Sequence, residues 1–227
     1  MTRRCASHTL RVMTSTILLK HPTFRLRSSQ WMGLIGLVLA TTLCGAAANA
    51  ADSVVAGVKV SANMALGGTT LQLNGVGVRY KGPFKVYSAA LYTSKKVSTT
   101  EELHTVAGPK ILVLTMLREV NADELGSLFI KGIMSNTAPG SQTKVMTELP
   151  RMSEMFSSHK KLVEGDQFSV EWLPNKGAVI SVKGVPEGKP FLAPEFFNAM
   201  MDIWVGNSPA DWKLKDALLG KSVAAPN

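Results

Sequence analysis

The sequence predicts an α+β fold, a large and mostly antiparallel sheet with helices on one face, and three observations lead there. Strand-like and helix-like stretches come in blocks, strands then helices then strands then helices, without the regular alternation of a parallel α/β sheet. Runs rich in β-branched and aromatic residues are joined by Gly and Pro turns short enough for hairpins. The helical stretches are apolar along one face, as helices that cover a sheet must be.

Residues 1–50 stand apart from this pattern. They hold six basic residues (Arg3, Arg4, Arg11, Lys20, Arg25, Arg27) and no acidic one. An apolar run from Met32 to Cys44 follows, and Ala48-Asn49-Ala50 ends it with the small-x-small pattern of a cleavage site. A basic start, a short apolar centre and Ala-x-Ala describe a secretory signal peptide cleaved after Ala50, because the run is too short to span a bilayer. The expected destination is the periplasm, with residues 51–227 as one domain large enough to bury a core. The whole chain carries 25 basic against 16 acidic residues, a net +9; without the leader it is 19 against 16, or +3. The basicity therefore belongs to targeting. Residues 51–227 have no basic block with interleaved aromatics, which argues against nucleic acid as a partner. Cys5 and Cys44 both lie in the leader, so the exported part relies on its apolar core and not on disulfides.

Taken in order, Val54 to Val60 alternates like a strand and Gly67-Gly68 is a turn. Thr69 to Tyr80 and Phe84 to Thr93 form two long strands about a Gly-Pro turn. Ser98-Thr99-Thr100-Glu101 has capping-box spacing and starts a short helix that Gly108-Pro109 stops. Lys110 to Leu117 is a nearly continuous apolar run of buried-strand length. Asn121 caps a helix with Asp123 and Glu124 in its first turn and Leu125, Leu128, Phe129, Gly132 and Ile133 on one face. Ala138-Pro139-Gly140 breaks it. Gln142 to Ser158 is helical, kinked or split by Pro150. Gln167 to Leu173 and Ala178 to Val182 make a second hairpin around Pro174-Asn175-Lys176-Gly177. Val185 to Lys189 is a turn that could serve as an active loop. Pro194 opens a helix with Phe197, Met200, Met201 and Trp204 on one face, closed by Gly206. Ser208-Pro209-Ala210-Asp211 starts a last helix that Gly220 closes, with a frayed tail beyond it.

The chemistry open to these residues is narrow. His104 and His159 are the only histidines outside the leader and neither has a ligand at metal-site spacing, so no metal and no cofactor is expected. No Gly-x-Ser-x-Gly elbow or phosphate-binding glycine loop is present. Gly75-Val76-Gly77 continues as strand, not helix, so it reads as a bulge or close packing and not a dinucleotide fingerprint. Arg79 and Tyr87 remain. A three-residue loop, Lys81 to Pro83, places Arg79 on the Tyr87 face of the hairpin; a two-residue loop places it on the other. On one face, the pair is a guanidinium and a phenol suited to clamping a carboxylate or phenolate. Otherwise Arg79 is a solvated residue at a hairpin end. Phe196, Phe197, Met200, Met201 and Trp204 fit either a helix core stripe or the wall of a lipid-sized cavity.

Leu73-Asn74-Gly75-Val76-Gly77-Val78-Arg79, Phe84-Lys85-Val86-Tyr87-Ser88-Ala89-Ala90-Leu91-Tyr92 and Glu195-Phe196-Phe197-Asn198-Ala199-Met200-Met201-Asp202-Ile203-Trp204-Val205-Gly206 resemble the chalcone isomerase-like family in its bacterial exported branch. The similarity runs from Val58 to Leu219. It implies an open-faced β-sandwich, a large antiparallel sheet covered by a helical layer with a ligand cleft between them. In the plant enzyme an arginine, a threonine, a tyrosine and an asparagine organise the cyclisation of a hydroxychalcone. The arginine falls on Arg79, but the other three fall on Tyr87, Leu125 and Gly132, so three of four polar positions depart. A leucine cannot polarise a ketone and a glycine cannot hold a hydroxyl. Fatty-acid-binding members of the same fold take a carboxylate with an arginine and a tyrosine at the positions of Arg79 and Tyr87. The resemblance thus implies a non-catalytic periplasmic protein that binds a fatty acid or similar amphipathic anion. Arg79 and Tyr87 would hold the head, and Phe129, Phe197, Met200 and Met201 the tail. The alternatives are a cofactor-free isomerase, an intramolecular lyase, and an envelope partner-binding module with a vestigial cleft.

Overall fold

The computed structural model describes residues 52–137 and 139–221. The signal peptide with its cleavage after Ala50, and the frayed tail, lie outside the described residues.

The chain opens with a small hairpin, β1 (Ser53–Val55) and β2 (Val58–Val60), where one strand was expected. Ala56 and Gly57 both adopt positive φ (52° and 86°), the geometry of a two-residue hairpin turn, and this folds the alternating run back on itself. Then come β3 (Asn63–Leu66), β4 (Thr69–Lys81) and β5 (Phe84–Thr93). Helix α1 (Thr100–Thr105) follows, capped one residue later than expected: Thr99 accepts from Glu102 N, and the Glu102 carboxylate accepts from Ser98 N at 2.7 Å. After β6 (Lys110–Met116) and the two-residue β7 (Val120–Asn121) comes α2 (Ala122–Asn136), whose N-cap Asn121 accepts from Glu124 N.

The stretch expected as one helix from Gln142 is a 3-10 turn (Pro139–Ser141), α3 (Gln142–Met146) and α4 (Leu149–Ser157), with Pro150 in the first turn of α4. A proline is tolerated there because its missing N–H has no helical partner to lose. The chain ends with β8 (Lys161–Leu162), β9 (Gln167–Leu173), β10 (Gly177–Val182), β11 (Val185–Pro186), α5 (Pro194–Val205) and α6 (Trp212–Leu218). Val185 and Pro186, expected in an active loop, instead pair with the end of β10, and the next residue, Glu187, pairs with His159 at 2.8 Å.

Seven strands form one antiparallel sheet in the order β11-β10-β9-β6-β5-β4-β3. The pleat divides each central strand between two faces. Tyr87, Ala89 and Leu91 of β5, Leu112, Leu114 and Met116 of β6, and Phe168 and Val170 of β9 face the helices and share one large core with them. Ala90, Tyr92 and Ile111 face the other way, in a smaller cluster with Leu71 and the hairpin residue Val60. This is the α+β architecture that the sequence predicts, a large antiparallel sheet with a layer of helices on one face.

The Asn74-to-Gly77 motif serves the docking of α6. Asn74 is an extra residue in β4, between the pairs Leu73–Tyr92 and Gly75–Leu91. Its buried amide donates to the carbonyls of Leu218 (2.7 Å) and Val97 (3.0 Å) and accepts from Val97 N (2.7 Å). At Gly75 a Cβ would run into the Ala217 carbonyl, and at Gly77 it would lie 2.8 Å from the Ala217 Cβ. The two glycines let the backbone of α6 lie directly on the strand.

Candidate functional site

Arg79 and Tyr87 are direct cross-strand partners, by a route that combines parts of both expected registers. The β4–β5 turn has two residues, Gly82 and Pro83, with Lys81 paired to Phe84. Alone, that would set Arg79 opposite Val86 and on the wrong face. Val86 is instead a bulge residue: Tyr80 pairs with Lys85, and Arg79 with Tyr87. The bulge is held from outside, since the Val86 carbonyl accepts from Leu117 N at 3.0 Å.

Both side chains line a cleft of about 450 Å³ between the hairpin tip, α2 and the segment that enters α6. That volume lies in the range of small-molecule sites. Tyr87 is buried at its inner end and accepts a hydrogen bond from Trp204 Nε1 at 3.0 Å. Burial pushes its pKa up to about 12, against the opposing pull of the Trp204 hydrogen bond and the Arg79 charge. The phenol is therefore neutral and a donor, and among the described residues no acceptor takes its proton. Arg79 is half-buried. Its Nη1 donates to the Tyr80 carbonyl and, at 3.4 Å, to Asp211 Oδ2. Its guanidinium also lies close enough to the Tyr87 hydroxyl to act on it as a hydrogen-bond donor, and no other carbonyl or carboxylate among the described residues takes its Nε or Nη2, which leaves part of the planar fork for a ligand.

The wall is apolar. Phe129 of α2 packs edge-on against Trp204 (centroids 5.1 Å apart), and Leu125, Leu128 and Ile203 extend the surface. Gly132 belongs to the same wall; a Cβ there would meet Ile203 at 3.1 Å, so the glycine keeps α2 close to α5. Leu125 and Gly132, which the sequence resemblance sets at the tyrosine and asparagine positions of the plant enzyme, both line the cleft and offer it no side-chain donor. At the mouth Lys81 pairs with Glu124 (3.1 Å) and Glu119 with Lys161 (2.7 Å). Arg118 and Lys131, also on the rim, have no carboxylate within 4.0 Å among the described residues.

Three expected tail residues are not in this site. Phe197, Met200 and Met201 are buried in the core, with Phe197 against Trp172 (5.4 Å between centroids). The reason is the burial of α5: every residue from Phe196 to Val205 except Asn198 and Asp202 is buried, so an apolar stripe there marks core, and only Ile203 reaches the cleft. Conversely, the sequence reading missed Asp211, Trp204 as donor to Tyr87, Ile203, and the rim cations Arg118 and Lys131. Asp211 had one legible signal, its place before α6, but that reads as a cap and says nothing about Arg79.

Comparison with known proteins agrees with this fold. The profile of the chalcone isomerase-like family matches residues 52–220. Among solved structures, the chain is similar to the fatty-acid binding protein of Arabidopsis thaliana, with a TM-score of 0.58 and 15% identity over 74% of this chain and 95% of that one. At that identity the likeness speaks for the fold. No curated protein matches the chain.

Proposed function

The chain belongs to the chalcone isomerase-like family, and on that footing we propose that it is a non-catalytic carrier whose cleft holds a fatty acid or a similar amphipathic anion. The observation that carries the reading is the bulge-set pair of Arg79 and Tyr87 at the head of an apolar cleft. An arginine with free N–H groups and a neutral phenol with a free proton are complementary to a carboxylate. Phe129, Leu125, Leu128 and Ile203 offer the tail an apolar surface. The rim cations Arg118 and Lys131, without a carboxylate partner among the described residues, add a positive field that draws anions toward the mouth. The fold is shared with a plant protein named for fatty-acid binding, which supports the same ligand class.

Leu125 and Gly132 weigh against an isomerase, because neither can stabilise charge on a ketone oxygen. The Arg79–Asp211 ion pair is what a vestigial cleft would show, but the space of about 450 Å³ beside it favours a working one. The proposed place of action is the periplasm, on the strength of the leader. Calorimetric titration with decanoate tests the reading: the wild type binds, and Arg79→Ala weakens binding by well over tenfold, as expected for a lost charged hydrogen bond of about 1.5–3 kcal/mol. Unchanged affinity in that variant would remove Arg79 from the head-group site.

A further inference from the structure

We infer that Asp211 is the specificity-determining residue of this cleft and restricts it to head groups with at most one negative charge, carboxylates and not phosphate monoesters. The inference rests on the carrier reading above and adds to it a residue and a selection rule.

Asp211 is fixed on both oxygens. Oδ1 accepts from Lys213 N (2.9 Å) and Leu214 N (3.2 Å) and so caps α6; Oδ2 accepts from Tyr80 N (3.3 Å) and Arg79 Nη1 (3.4 Å). Its side chain is only 13% exposed. A carboxylate held by the backbones of two elements cannot turn away when a ligand arrives, so its charge stays beside the head-group position.

Asp211 does not itself line the cleft; it stands directly behind Arg79, which does, and next to the lining residue Ala210, and the charge around the head-group position then follows. Arg79 supplies one positive charge, Asp211 one negative, and Tyr87 none. A singly charged head replaces water at the free Arg79 N–H groups and at the Tyr87 hydroxyl, and leaves the site at −1. A phosphate monoester above its second pKa, ~6, leaves it at −2 against a half-buried and immovable carboxylate. Like charges repel more strongly there than in water. Arg118 and Lys131 do not remove this selection, because they sit exposed on the rim, where solvent and salt screen them. The long, one-pronged Arg79–Asp211 contact fits the same role: it aims the guanidinium without occupying its fork.

Three ligands of one tail length separate charge from shape: decanoate, decyl sulfate and decyl phosphate, titrated at pH 8 below micelle formation. Decyl sulfate has the tetrahedral head of the phosphate but one charge. The wild type is expected to bind decanoate and decyl sulfate, and decyl phosphate at least tenfold more weakly than the sulfate. In Asp211→Asn, which keeps an oxygen to cap α6, the sulfate–phosphate gap closes to within about threefold. Asp211→Ser, a different capping residue, is expected to do the same, so misfolding of one variant does not decide the result. Equal binding of sulfate and phosphate by the wild type, or a gap that survives in a folded variant, overturns the selection rule and leaves the carrier reading standing. A wild type that fails to bind decanoate overturns the carrier reading itself, and the rule with it.

Discussion

The helix layer meets the sheet in two ways. Around Phe197, Met200 and Met201 it is closed: Phe191 stacks on Phe196 at 4.3 Å, Phe197 leans on Trp172, and the methionines fill what is left. Around Tyr87 and Arg79 the same two layers stand apart and leave about 450 Å³. The border is the Trp204–Tyr87 hydrogen bond, where the aromatic cluster of Phe129, Phe156 and Phe168 ends and the polar head of the cleft begins. A cavity in this fold is thus made by what the hairpin tip and the α6 entry withhold. Apolar character does not mark it, since both regions are apolar and only one is open.

The largest expected effect breaks the closed side. Phe197→Ala should lower stability by about 3–5 kcal/mol, since a buried ring leaves a cavity its neighbours cannot fill. Decanoate affinity of the folded protein should stay within about twofold. A large loss of affinity at full stability would return Phe197 to the tail site. Arg79→Ala should do the reverse, with an affinity loss of about 1.5–3 kcal/mol and little change in a thermal melt. Tyr87→Phe should be milder, about 0.5–1.5 kcal/mol for a neutral hydrogen bond, in affinity and in stability, because Trp204 Nε1 loses its acceptor.

The smallest effect is a pH signature that separates the two regions. Lys110, buried beside Phe197 with Nζ on the carbonyls of Leu103 and His104, has its pKa lowered by burial from 10.5 to about 8. Between that lowered value and 10.5 the unfolded chain binds more protons than the folded one, so stability should rise with pH from 7 to 9. Lys110→Met should flatten that slope. Tyr87 acts with the opposite sign: with its pKa raised from 10 to about 12, its contribution is full below pH 10 and is lost as pH climbs toward 12. Chemical denaturation at a series of pH values reads both. Affinity for decanoate should hold constant from pH 7 to 9, because the phenol stays protonated there.

Much of the scaffold was legible because its signals are local. Strand β5 runs from Phe84 to Thr93 as its β-branched and aromatic residues after the Gly-Pro turn indicated, and α5 runs from its Pro194 to Val205, with Gly206 closing it. The two-residue strands β7, β8 and β11 were not legible, because only their partners make them strands. The register that unites Arg79 with Tyr87 was left open, since the sequence does not reveal that Val86 bulges out of the ladder. The apolar face of α5 was legible, but Phe197, Met200 and Met201 were assigned from it to the tail site and lie in the core instead, because a period of 3.6 residues cannot tell a core from a cavity wall. Asp211 hid behind its cap, a local duty that accounted for its presence before the contact with Arg79, 132 residues earlier, was visible.

The most direct test is mass spectrometry of what the wild-type protein carries when purified without detergent, beside Arg79→Ala treated in the same way. A single-charge fatty acid at near-stoichiometric amount in the wild type and depleted in the variant is the expected result. An empty wild type, or a bound molecule that survives the loss of Arg79, would contradict a carrier that holds its ligand by the Arg79–Tyr87 head.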